Sequence, residues 1–79
     1  MYVFKVSTRI NKKYDVYKDN KYLISFGHKR CEQYEDKTPI KYYSHLNHYD
    51  TKRRQNYYKR FGNNPQHESA KYFSHEYLW

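Results

Sequence analysis

The first positions of the chain alternate in character. Tyr2, Phe4 and Val6 fall on one side and Val3, Lys5 and Ser7 on the other, the period-two pattern of a half-buried strand over residues 2–10. Asn11-Lys12-Lys13 reads as a polar turn and Tyr14-Asp15-Val16-Tyr17-Lys18 as a second strand. Asp19-Asn20 follows, two residues that tolerate positive φ and suit a two-residue hairpin turn. Lys21 to Phe26 is a third strand, closed by Gly27. The N-terminal third thus predicts a three-stranded antiparallel meander. Its one apolar face needs a cover from elsewhere in the chain.

The period then changes. His28 to Lys37 is polar, with Tyr34 its one large anchor, and predicts a crossing loop. Thr38-Pro39 predicts a short helix ending near Leu46, with Thr as N-cap and Pro at the first helical position; an extended segment is the alternative. His48 to Gly62 reads as one amphipathic helix capped by Asn47 or Asp50. Tyr57, Phe61, Arg54 and Tyr58 share a sector, while Lys52, Asn56, Lys59 and Arg60 face away. Gly62 suits a left-handed stop. Asn63-Asn64-Pro65 breaks the pattern, and Glu68 to Trp79 predicts a last helix with Ser69 as cap and Ala70, Phe73 and Tyr77 on one face.

The fold class is therefore α+β: a single small basic domain, residues 1–79, with an N-terminal three-stranded antiparallel meander covered by two to three C-terminal helices. The expected packing lays Tyr57 and Phe61 of the long helix on the sheet face of Phe4 and Val6. Arg54 is expected to be structural, held by an i, i+4 ion pair with Asp50. Trp79 is expected to dock into the protein's own core beside Tyr22 and Phe26, because a core so poor in aliphatics can hardly spare an indole; insertion into a partner is the alternative.

Composition sharpens this. The apolar load rests on 12 Tyr, 4 Phe and one Trp, so the core must be thin, with phenol hydroxyls that need partners or water. Sixteen Lys and Arg against 8 Asp and Glu give +8, which favours a polyanionic partner. A single cysteine, Cys31, allows no internal disulfide and fits a reducing compartment. No apolar run approaches a membrane span, and Met1-Tyr-Val-Phe-Lys5 does not read as a secretory leader. A soluble intracellular protein without a membrane partner is the expectation.

Candidate chemistry centres on the long helix. Lys52, Arg53, Lys59 and Arg60 project from it at a spacing able to follow a phosphate backbone, helped by Lys12, Lys13 and Lys71. Aromatics among cations can stack on unpaired bases; Tyr58 lies at the edge of the apolar sector and suits that role, while Tyr57 belongs to the core. His28-x2-Cys31 and His45-x2-His48 imitate a zinc-finger layout with one thiolate, one fewer than structural zinc sites usually carry, so the metal reading stands as the lesser alternative and no cofactor is expected. His48-x-Asp50 is explained by capping. No glycine-rich phosphate loop and no nucleophile motif accompanies these residues, which argues against an enzyme.

One set of residues resembles a known family. Tyr14-Asp-Val-Tyr17, Ser25-Phe26-Gly27, Tyr34 with Asp36, His48-x-Asp50, Arg53-Arg54, Tyr57, Arg60, Ser74 and Leu78-Trp79 look like a family of short, uncharacterised proteins encoded by nucleocytoplasmic large DNA viruses, the giant viruses and their algal-virus relatives. The likeness runs from about Tyr14 onward. Where the family pattern carries a second histidine after the arginine, this chain has Phe61. The resemblance implies a viral origin and a place in the virion or the host cytoplasm, and supplies no activity. Abundant Lys, Asn and Tyr agree with an A/T-rich genome. Two functions are expected: a non-enzymatic basic module that binds nucleic acid through its phosphate backbone, or a small virion structural protein that cements capsid or core proteins through its tyrosines.

Overall fold

A computed structural model describes residues 1–79. Three antiparallel strands, β1 (Tyr2–Val6), β2 (Lys12–Lys18) and β3 (Lys21–His28), lie in the order β1-β2-β3 and are followed by helices α1 (Thr51–Phe61) and α2 (Ala70–Tyr77). The α+β meander-then-helix architecture is the expected one. Asp19 and Asn20 both take positive φ, 52° and 66°, as a tight hairpin turn requires. β1 ends earlier than the alternation suggests, and Asn11 at φ 62° makes the first turn. β2 therefore starts at Lys12 and takes in Lys13. β3 runs through Gly27, whose φ of 76° and close neighbours admit no side chain: a Cβ there would sit 3.0 Å from both Leu78 Cδ1 and Lys13 Cδ.

The inward face reads across the strands as Phe4 opposite Val16 opposite Ile24, and Val6 opposite Tyr14 opposite Phe26. What covers it is α2, not α1. Phe73 is fully buried, with its ring 5.0 Å from Tyr2, 5.7 Å from Phe26 and 6.4 Å from Phe4, and Tyr77 lies 4.6 Å from Phe4. Tyr14, Val16, Phe26, Tyr43, Phe73 and Leu78 form the core. The expectation that Tyr57 and Phe61 pack on Phe4 and Val6 is thus corrected: α1 buries no residue fully, and Phe61 stays 39% exposed. The physical reason is charge density. Five of the 11 residues of α1 are Lys or Arg, whereas α2 carries one lysine on a face opposite Phe73 and Tyr77, so α2 can approach the sheet without desolvating ammonium groups.

Both helices are capped as their sequences suggest. The Asp50 carboxylate accepts from Lys52 N and Arg53 N, and the Ser69 hydroxyl from Tyr72 N. Gly62 ends α1 at φ 79°. The helix expected from Thr38 to Leu46 is not formed; only a 3-10 turn at Ser44–Leu46 appears. Asp36 explains this. Its carboxylate draws in Thr38 N, Thr38 Oγ1, Tyr43 N and, at 2.5 Å, the Tyr14 hydroxyl, which fixes the chain in an irregular loop, and Lys41 adopts φ 55°. The crossing segment 31–37 is ordered by backbone bonds on both sides: Gln33 N to Leu46 O and His48 N to Gln33 O on one, Glu35 N to Leu78 O and Lys37 N to Tyr77 O on the other.

Candidate nucleic-acid interface

α1 is held to the body at its inner face by polar and aromatic contacts. Arg54 Nε donates to the Trp79 carbonyl at 2.7 Å, and its guanidinium lies 4.8 Å from the Tyr34 ring centre. The expected Asp50–Arg54 ion pair does not form; capping occupies Asp50, and Arg54 turns inward. His75, buried at the base of α1, bridges the two helices. Gly62 O can only accept, so His75 Nε2 carries the proton that bonds it at 2.8 Å, and Nδ1 accepts from the Tyr57 hydroxyl, also at 2.8 Å. Tyr58 donates its hydroxyl to His75 O at 3.1 Å. Burial raises the Tyr57 phenol well above its ordinary value.

This anchoring leaves an outer face of one sign. α1 contains no Asp or Glu, and Lys52, Lys59 and Arg60 are exposed with no carboxylate within ion-pair distance. Lys52 and Lys59 are two turns apart, roughly 10 Å along the axis. Arg53 is also exposed but pairs with Glu32 at 2.9 Å, an interaction that holds the Glu32 carboxyl below the usual range. Tyr58 is half-buried and tied by its hydroxyl, so it presents an edge rather than a free face. Lys71 of α2 joins the set near the end of α1, with its ammonium 5.0 Å from the Phe61 ring centre. Lys12 is exposed opposite His28 at the far end of the sheet.

Lys13 does not belong to this set. It is 1% exposed, and its ammonium donates to Cys31 O at 2.6 Å and to Gln33 Oε1. Burial pushes it down to about 8. A polar-turn reading places Lys13 on the surface; the strand extension to Lys12 and the approach of segment 31–33 bury it instead. Gln33, itself buried, passes the network on by donating to Tyr43 O and to Asn47 Oδ1, and Asn47 Oδ1 also accepts from Asp36 N. Sequence pattern gives Lys13, Gln33 and Asp36 no structural role and Asn47 only that of a helix cap, because polar residues in an aperiodic stretch carry no pattern that marks burial.

The zinc-like spacing gathers no site. No three His, Cys, Asp or Glu side chains approach closely enough to hold a metal, and the four positions have separate surroundings. His28 Nδ1 accepts from Arg30 N, His45 lies beside the Tyr43 ring, Cys31 is exposed, and His48 Nδ1 accepts from Asp50 N. His48 Nε2 is buried without a partner, and burial lowers this imidazole from its ordinary value.

Trp79 docks within the protein, although not beside Tyr22 and Phe26. Its indole stacks on Tyr57 and neighbours His48, with ring centres 5.2 Å apart in the second pair. Tyr22 sits on the uncovered sheet face with Tyr17, under the Arg9 guanidinium. Phe61, Tyr57 and Trp79 line a cleft of about 420 Å³ between α1, α2 and the end of β3, with Lys13 and Gly27 on its far side. No protein-family model, curated protein or solved structure matches the chain. No helix is long and apolar enough to cross a membrane.

Proposed function

We propose that this protein is a non-enzymatic nucleic-acid-binding module that grips the phosphate backbone with the outer face of α1, and that the nucleic acid is viral, as the family resemblance implies. The observation that carries the reading is the one-signed surface of α1. Lys52, Lys59 and Arg60 stand exposed on a helix with no acidic residue, and its neighbour Lys71 is equally free of a carboxylate partner. Cations left unpaired on one face attract a polyanion by releasing its condensed counterions. Arg53, paired with Glu32, is a lesser contributor. Lys12 extends the positive surface along the sheet.

The test is charge removal at constant fold. A variant carrying Lys52→Gln, Lys59→Gln and Arg60→Gln loses most affinity for a mixed-sequence oligonucleotide at low salt and keeps its melting temperature within a few degrees, because exposed substitutions away from caps and core change stability by about 0.5 kcal/mol or less. Unchanged affinity rejects the reading. A second reading, a virion protein that cements larger capsid or core proteins, is favoured by Tyr42 and Tyr49, 59% and 58% exposed. Stoichiometric co-purification with capsid components supports it over the first.

A further inference from the structure

α1 carries its aromatic side chains into a cleft instead of a core. Tyr57 lies between Phe61, at 4.9 Å, and Trp79, at 4.3 Å, so the three rings form a continuous row. Phe61 is the open end of that row, with the Arg60 guanidinium 5.1 Å and the Lys71 ammonium 5.0 Å from its ring centre. The cleft, about 420 Å³, continues into a neighbouring depression of about 430 Å³ that shares Phe61, Tyr57 and Trp79 and adds Arg53 and Arg60. Volumes of this order suit a small planar group. Glu32 is the only acidic side chain in either lining, and Arg53 already pairs with it. An apolar, aromatic cleft with a cationic rim is complementary to a planar ring system that carries negative charge at its edge.

We infer that this cleft receives an unpaired base of a single-stranded nucleic acid, which stacks on Phe61 while the flanking phosphates sit on Arg60 and Lys71. The inference rests on the phosphate-binding reading above and adds strand type to it. A duplex keeps its bases stacked internally and has none to give the cleft, whereas a single strand offers a π-face at every nucleotide whatever its sequence. The single Trp79 reports occupancy directly, because it lies at the other end of the ring row.

The test compares three ligands of equal length, about ten nucleotides each, at one salt concentration: oligothymidylate, an abasic deoxyribose-phosphate strand, and a duplex. Binding is read by anisotropy and by Trp79 emission. Base stacking is worth about a tenfold change in affinity per base. Oligothymidylate is expected to bind about tenfold tighter than the abasic strand and to quench Trp79, and the duplex to leave the emission unchanged. Phe61→Ala should remove that tenfold advantage without weakening abasic binding, and Phe61→Trp should restore it. Equal affinity for base-bearing and abasic strands overturns the inference and leaves the phosphate reading intact. Absence of binding to all three ligands overturns both.

Discussion

The Trp79 indole lies flat on the Tyr57 ring, with centres 4.3 Å and planes 4° apart. This stack, with the Arg54 bond to Trp79 O and the Tyr57 bond to His75, fastens an otherwise cationic helix to the domain. Tyr57→Phe keeps the stack and removes one hydrogen bond to His75, so it should cost about 1 kcal/mol in urea unfolding. Removal of Leu78 and Trp79 should cost several kcal/mol, because it takes away a buried core leucine as well as the anchor of α1. Stability that is unchanged by the deletion contradicts the docking of Trp79 on Tyr57.

The core prediction follows from which helix covers the sheet. Phe73→Ala should cost about 3–5 kcal/mol, most of a small domain's margin. Phe61→Ala should cost less, about 1–2 kcal/mol, since a residue 39% exposed at the cleft rim has only part of a phenylalanine's burial to lose. Thermal or urea unfolding of the pair decides the matter, and a reversed ranking would return α1 to the sheet.

Asp36 is the polar counterpart of Phe73. It accepts four hydrogen bonds, from Tyr14, Thr38 N, Thr38 Oγ1 and Tyr43 N, while 1% exposed. Asp36→Asn turns an acceptor into a donor against N–H and O–H groups that themselves donate. The expected loss is about 3 kcal/mol, the usual order for disruption of a buried charged network. Loss of protection of the Thr38 and Tyr43 amides in hydrogen exchange accompanies it.

Lys13 makes the stability pH-dependent in an unusual direction. Burial holds its ammonium at about 8, against 10.5 in an unperturbed lysine. Below pH 8 both folded and unfolded chains carry the proton, and the cost of the buried charge is present in full. Between about 8 and 10.5 the unfolded chain binds more protons, so stability rises with pH. Tyr14 acts in the opposite sense at higher pH. Burial, reinforced by the bond to Asp36, raises its phenol from 10.0 to about 12, and the stability carried by its protonated form is full below pH 10 and lost as pH climbs through 12. The urea midpoint should therefore rise from about pH 8 to about pH 10 and fall above about 10.5. Lys13→Met should abolish the rise while the fall remains.

Much of the fold was legible because its determinants are local. Alternation in Tyr2–Val6, positive-φ residues at Asp19-Asn20, caps at Asp50 and Ser69, and Gly62 as a stop act over a few residues, and each appears where the sequence implies it. The packing partner of the sheet was not legible. Both helices carry an aromatic stripe, and the choice between Phe61 and Phe73 turns on desolvating neighbouring cations, an effect no periodicity encodes. The same holds for the loop 29–43, where Thr38-Pro39 has the grammar of a helix start but the Asp36 carboxylate competes for its amides. For the candidate interface, Lys52, Lys59, Arg60 and Lys71 stand exposed, while Lys13 is withdrawn by a long-range partner, Gln33, that nothing in its own neighbourhood announces.

The central claim, phosphate contact through α1, is tested most directly by the salt dependence of binding to a single-stranded oligonucleotide. With Lys52, Lys59, Arg60 and Lys71 engaged, log affinity should fall against log salt with a slope of about −3, and Lys52→Gln with Lys59→Gln should make that slope shallower by about 1.4. A slope near zero, or one that the double substitution leaves unchanged, would contradict the account.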